Sequence, residues 1–160
     1  MAGINAERVG AWLEANVAGA KAPFTYTLIA GGHSNLTFKV DDSAGHHYVL
    51  RRPPLSHALA SAHDMGREHR VISALSASRV PVAPALGLCT DVEVNDAPFY
   101  VMAFVDGHVV RDNATALSVL TPATRRQASI SLVDTMAAIH KVRSEEHTSE
   151  LQSHSFISYA

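Results

Sequence analysis

A glycine pair, one cation and one acid are the residues of this sequence whose types and order suggest chemistry. Gly31-Gly32-His33-Ser34-Asn35 stands between two stretches in which apolar and polar residues alternate. A strand, a Gly-Gly turn and a returning strand let backbone N–H groups approach an anion with no Cβ in the way, and Ser34 and Asn35 add donors. The same residues also suit a plain hairpin. No Gly-x4-Gly-Lys-Ser/Thr is present and no helix follows, so the turn is not a Walker loop. Gly32-His33-Ser34-Asn35-Leu36 lacks the final glycine of a nucleophile elbow, which leaves a hydrolase built on Ser34 without support. Arg51 falls on the next strand-like stretch, where a cation would sit beside the turn and within reach of phosphates. Glu68 falls in the helical stretch after it and could hold that cation. Taken singly, Arg51 is a surface cation on a strand and Glu68 an acid on a solvated helix face.

The other titratable residues read as structural. Ten histidines invite a metal site, yet no His-Glu-x-x-His or comparable spacing occurs. His46 and His47 sit in a turn, and His140 on an apolar helix face is expected to be a hydrogen-bonded core residue. Cys89, the one cysteine, rules out a disulfide framework and is expected to be a small buried side chain. The chain has 160 residues, 47% of them hydrophobic, with a formal net charge of −2. Such a composition excludes a disordered chain, and the near-neutral balance argues against nucleic acid or an anionic membrane as partner. The longest apolar run, Ala97 to Val105, is far short of the roughly 20 residues a membrane span needs. The opening residues carry no basic segment followed by an apolar one, so a cytoplasmic location is expected.

The elements that must position these residues follow from periodicity. Asn5 can cap a first helix whose Ile4, Val9, Trp12, Leu13 and Val17 share one face, with Gly19 and Pro23 ending it. Phe24 to Leu28 and Leu36 to Val40 alternate as strands around the glycine turn, and Tyr48 to Arg51 makes a third strand that Pro53 and Pro54 stop. A second helix is expected after Ser61, with Met65, Ile72 and Leu75 inward. Leu86 to Asp91 and Pro98 to Val105 read as two further strands turned at Asn95-Asp96. Thr121 as cap and Pro122 at the first position signal a third helix with Ile130, Val133, Met136 and Ala137 along one face. From Arg143 onward, RSEEHTSELQSHSFISYA shows no apolar period, and residues 143–153 resemble the translation of a common sequencing-library adapter. Residues 143–160 are therefore expected to be a non-native tail that takes no part in the fold.

A glycine hairpin, a cation on the next strand and an acid on the following helix is the order of a protein-kinase-like nucleotide lobe. The stretches GGHSN (31–35), VLRRPP (49–54), SAHDMGREH (61–69), VPVAP (80–84) and CTDVEVNDAPFYVMAFVDG (89–107) resemble the aminoglycoside/choline phosphotransferase family. Within it they are most similar to the kinase-like domain found with acyl-CoA dehydrogenases. The resemblance runs from about Phe24 to Val142. It implies an α+β fold: a kinase-like N-terminal lobe with a five-stranded antiparallel sheet and helices over residues 1–107, then the first helix or so of a truncated second lobe over 108–142.

The resemblance also implies roles. Gly31, Gly32, His33, Ser34 and Asn35 would fold over the phosphates of ATP. Arg51 stands where kinases carry the strand lysine, and Glu68 would pair with it. Met102-Ala103-Phe104-Val105 matches the hinge, where the Ala103 carbonyl and the Val105 N–H would meet adenine. Phosphoryl transfer further needs a base-positioning Asp, an Asn and a metal-binding Asp. The family supplies these from His-Gly-Asp and Asp-Trp-type segments downstream, and this chain contains neither. No catalytic or metal residue is therefore assigned within it, and the Mg²⁺ ligands are expected in the missing segment. The implied function is ATP-dependent phosphorylation of a hydroxyl group on a small molecule, with this chain a fragment lacking the catalytic loop. An acyl-CoA dehydrogenase of the same pathway is the implied partner. The alternative is a non-catalytic nucleotide-binding or protein-interaction module.

Overall fold

In a computed structural model the described residues are 2–30, 35–55 and 63–142. The glycine turn at 31–34 and the tail at 143–160 lie outside them. The elements are α1 (Ala6–Asn16), β1 (Thr25–Ala30), β2 (Leu36–Asp41), β3 (His47–Arg52), α2 (Met65–Leu75), β4 (Ala85–Cys89), α3 (Val92–Asn95), β5 (Phe99–Ala103), α4 (Asn113–Val119) and α5 (Pro122–Lys141). Residues 1–77 and 81–107 form one compact unit, and 78–80 with 108–160 form a second.

The first unit is built on one antiparallel sheet of order β1-β2-β3-β5-β4. The three-strand meander is as the alternation predicts. β5, not β4, then pairs with β3, because α2 carries the chain past the sheet and the β4–β5 hairpin returns inward. Residues paired across neighbouring strands share a face. On one face Phe38, Leu50 and Val101 line up with Val40, Tyr48 and Phe99, and α1 covers them with Val9, Leu13 and Val17. Each such side chain fully removed from water contributes ~1.5–3 kcal/mol, which makes this layer the unit's main source of stability. The Asn5 side chain accepts from Arg8 N at 3.2 Å and starts α1. Trp12 adds an edge-to-face contact to Phe99, with ring centroids 5.0 Å apart.

A buried carboxylate fixes the β2–β3 turn. Asp42 accepts from the N–H groups of Ala44, His46 and Lys21 at 2.9, 2.7 and 3.2 Å and from Tyr48 Oη at 3.3 Å. His46 Nδ1 lies 3.0 Å from the same carboxylate. Burial raises the pKa of Asp42, but the hydrogen bonds from His46 and Lys21 outweigh it and bring the carboxyl down to about 2.

The structure departs from the periodicity reading in four places. α2 begins at Met65, with Asp64 as the cap that accepts from Arg67 N at 2.9 Å; Ile72 and Leu75 are only partly buried. The hairpin connection contains a one-turn helix, α3, capped by Asp91, before Asp96 turns the chain in a left-handed conformation. α4, capped by Asp112, is only seven residues long, too short to show a period. His140 is exposed in the last turn of α5 and is not a core residue, because α5 has no buried residue at all. Cys89 is buried as expected, and burial pushes its thiol pKa up. Among the described residues no helix is long and apolar enough to cross a membrane.

Candidate functional site

The sheet face away from α1 carries the polar residues. Two cross-strand rows run over it. One is Thr37–Arg51–Tyr100–Leu88, and the other, two residues along, is Lys39–Val49–Met102. Strand geometry separates the rows by ~7 Å. Leu36, Phe38 and Val40 commit β2 to the core with their side of the pleat, which forces Thr37 and Lys39 outward; the same holds on β3, where Leu50 and Arg52 bury and Arg51 projects.

Arg51, Glu68 and Asn35 are brought together. Arg51 Nε lies 3.0 Å from Glu68 Oε2, shielded from solvent, as an ion pair whose N–H points off the carboxylate axis and makes no aligned hydrogen bond. Glu68 reaches the sheet because the Asp64 cap sets the first turn of α2 and Met65, 2% exposed, anchors that turn. Glu68 Oε1 accepts from Asn35 Nδ2 at 2.7 Å, and Oε2 accepts from Tyr100 Oη at 3.1 Å. Asn35 Oδ1 in turn lies 2.5 Å from His63 Nδ1, and an amide oxygen can only accept, so the imidazole donates. Burial pushes the Tyr100 phenol up to about 12, with the Glu68 charge adding to it, so the hydroxyl stays a neutral donor. The side-chain amide of Asn35 is thus engaged by both Glu68 and His63.

At the other end of this face lies the stretch Met102 to Val105. Ala103 N–H donates to Pro84 O at 2.9 Å and Phe104 N–H to His47 O at 3.4 Å. The Val105 N–H has no partner among the described residues. Lys39 Nζ stands 5.2 Å from the centre of the Phe104 ring and 2.7 Å from Asp41 Oδ1. Its hydrogen bond to Asp41 is the largest of the influences on that carboxyl and holds its pKa below the ordinary value. His47 meets the Phe104 ring edge-on at 6.0 Å. These contacts fix the backbone direction on either side of Ala103.

Gly31, Gly32, His33 and Ser34 lie outside the described residues. Arg51, Glu68 and Asn35 cluster at one end of the face; Met102 lies toward the other, Ala103 pairs with Tyr48 and belongs to the face covered by α1, and Val105 follows the end of β5. Sequence reasoning missed Tyr100, His63 and Lys39. Tyr100 alternates with Met102 on β5, and that period of two was the signal available for it. Among the described residues no three His, Cys, Asp or Glu side chains gather as a metal site. The chemistry open to this arrangement is recognition of a polyanion by a guanidinium held by a carboxylate.

Comparison with known proteins agrees with this geometry. The sequence profile of the phosphotransferase enzyme family matches residues 25–154, and so extends into the segment set aside as a tail. The acyl-CoA dehydrogenase family member 11 of Rattus norvegicus is 34% identical over 122 residues, 76% of this chain and 15% of that protein. Its counterpart in Gallus gallus is 38% identical over 111 residues, 69% of this chain and 14% of that one. Among solved structures, a protein of Ralstonia eutropha JMP134 assigned as an aminoglycoside phosphotransferase aligns with a TM-score of 0.67 at 34% identity, covering 85% of this chain and 38% of that one. The chain therefore spans a small part of these relatives and well under half of the solved protein. A profile matched over most of the sequence, on a sheet of the same fold, places the chain in the phosphotransferase enzyme family.

Proposed function

We propose that the protein is an ATP-dependent phosphotransferase acting on a hydroxyl group of a small molecule, and that this chain carries its nucleotide-binding part. The observation that carries the reading is the Arg51–Glu68 pair, with Arg51 near the end of β3, the strand that pairs with β2 where β2 leaves residues 31–35. The residues present fit ATP. A cation with its counter-carboxylate stands at one end of a sheet face, and an unpartnered N–H at Val105 stands at the other. Three residue steps along β5, roughly 10 Å, separate Tyr100 from Ala103.

Bound there, the nucleotide would supply the transferable phosphoryl group. Arg51 would neutralise phosphate charge, and a guanidinium can clamp two oxygens at once where an ammonium meets them as a point charge. Glu68 keeps the guanidinium over the sheet. Ala103 C=O and Val105 N–H would meet the base, and Val49 and Met102 would form its floor. The base that takes the hydroxyl proton and the acids that hold Mg²⁺ are assigned to sequence outside this chain, so the 160-residue piece alone would bind without turnover.

The acyl-CoA dehydrogenase names of the sequence relatives support a hydroxylated acyl compound as substrate, with an acyl-CoA dehydrogenase as a partner in the same pathway; the name of the solved neighbour points instead to an aminoglycoside. The test is ATP consumption by the full-length gene product with candidate hydroxy acids. Turnover with one of them, abolished by Arg51→Ala, is the expected result. Unchanged turnover in Arg51→Ala would refute the role given to this residue. A natural stop codon near Val142 would favour the non-catalytic module instead.

A further inference from the structure

We propose that Asn35 and Tyr100 are positioning residues that hold Glu68, and through it Arg51, in the phosphate-binding arrangement before any nucleotide arrives. The inference rests on the nucleotide-binding reading above and adds to it a preorganised cation. An Arg–Glu pair that is about one-third exposed, as this one is, has little rigidity of its own, since water competes for both charges and long side chains resist being fixed. Something else must hold it.

Two buried neutral donors do so from opposite sides. Tyr100, 2% exposed, reaches Glu68 Oε2 from the centre of the sheet, and Asn35, 6% exposed, reaches Oε1 from the end of the glycine turn. Both carboxylate oxygens are thereby fixed in place. Neither donor has an alternative partner in water, so displacing Glu68 would orphan two buried groups together. The Tyr100 ring is held by its row on the sheet and by the edge of His69, with centroids 6.3 Å apart. Asn35 is held by His63, the residue just before the α2 cap. The network thus ties the start of β2, where the glycine turn ends, to both β5 and the start of α2. Any shift of Asn35 is felt at Glu68, and any shift of α2 is felt at Asn35.

The variants Tyr100→Phe and Asn35→Asp test this with almost no change of shape. The first removes the hydroxyl donor; the second replaces the amide donor by an oxygen facing Glu68 Oε1 and keeps the acceptor for His63. Affinities of the chain for ATP and for adenosine are to be measured side by side by titration calorimetry. Exchange of the Arg51 Nε–H is followed in arginine-labelled protein by nitrogen-15 NMR. ATP affinity should fall about threefold in Tyr100→Phe and about tenfold in Asn35→Asp, as loss of one net hydrogen bond and a new like-charge contact imply. Adenosine affinity should not move, because general damage would lower both. Arg51 Nε–H exchange should quicken on the order of tenfold as its shield loosens. ATP binding in both variants equal to that of the unaltered chain, or Arg51 exchange unchanged, would overturn this inference and leave the nucleotide reading standing. An unaltered chain that binds ATP no better than adenosine would overturn the nucleotide reading, and this inference with it.

Discussion

Replacing Glu68 by methionine should make the Tyr100 hydroxyl harmful instead of helpful, and the sign of that change can be worked out from the contacts. Methionine is an unbranched good helix former of similar length, so α2 keeps its propensity and the site keeps its volume. Glu68 accepts from Asn35 Nδ2 at 2.7 Å and Tyr100 Oη at 3.1 Å, and both donors belong to buried residues. Orphaning each costs ~1–3 kcal/mol, so Glu68→Met should destabilise by about 2–6 kcal/mol. Arg51 adds ~0–1 kcal/mol at most, because it is about one-third exposed and can turn to water. In the unaltered protein Tyr100→Phe removes a satisfied hydrogen bond and should cost ~1 kcal/mol. In the Glu68→Met background it removes an orphan and should return ~1 kcal/mol. The coupling is therefore about 2 kcal/mol. Urea unfolding followed by circular dichroism reads it as a midpoint that falls in one background and rises in the other. Equal losses in both backgrounds, within ~0.3 kcal/mol, would refute the two-donor description of Glu68.

The remaining predictions concern packing, pH and an exposed helix. A Cβ at Gly87 would stand 2.9 Å from Trp12 Cη2, so Gly87→Ala should cost ~1–3 kcal/mol in a thermal melt, and Trp12→Phe should relieve most of it. The Asp42 carboxyl titrates at about 2 in the folded protein against an ordinary 3.8, so its stabilising effect is complete above pH ~4 and is lost as pH falls toward 2. Acid unfolding of Asp42→Asn should show a shallower loss of stability across that window, and an unchanged acid limb would count against the turn network. α5 leaves Leu132, Val133 and Met136 more than half exposed. Leu132→Glu with Met136→Glu should reduce both dye binding and self-association while shifting stability by less than ~0.5 kcal/mol.

Much of the fold was legible because one face of the sheet is dry. Phe38, Val40, Leu50 and Val101 alternate along their strands with residues of the other face, and α1 repeats its apolar residues at helical spacing to cover them. Both signals are local and survive without knowledge of the partner. α3 was not legible, because a four-residue helix has no period to read, and Asp91 and Asp96 serve as cap and turn without any apolar mark. α4 escaped for a related reason: seven residues, none of them buried, are too few to show a stripe. The misreading of His140 came from assigning α5 an inner face on periodicity alone, when burial depends on what lies against the helix.

At the site, Arg51 and Glu68 could be named from their order, since a strand cation and a helix acid are spaced by the elements between them. Tyr100 and His63 could not. They meet Glu68 and Asn35 from sequence separations of 32 and 28 residues, with no charge to announce them. Asn35 was legible as part of the turn, while its role as a strut depends on the direction of a single side chain. Arg52 shows the same principle on the dry face. Its guanidinium reaches the carbonyl oxygens of Gly3 at 2.7 Å and Asn95 at 3.2 Å. Adjacent arginines thus take opposite roles because the pleat sends them to opposite faces.

The central claim, that Arg51 on this sheet recognises the phosphates of ATP, is tested most directly by calorimetric titration of ATP and adenosine into the unaltered chain and into Arg51→Ala. The account predicts that ATP binds the unaltered chain more tightly than adenosine. Arg51→Ala should weaken ATP by about 10- to 150-fold, the range for a charge-assisted contact of ~1.5–3 kcal/mol, and leave adenosine unchanged. Equal ATP affinity in the two proteins would contradict it.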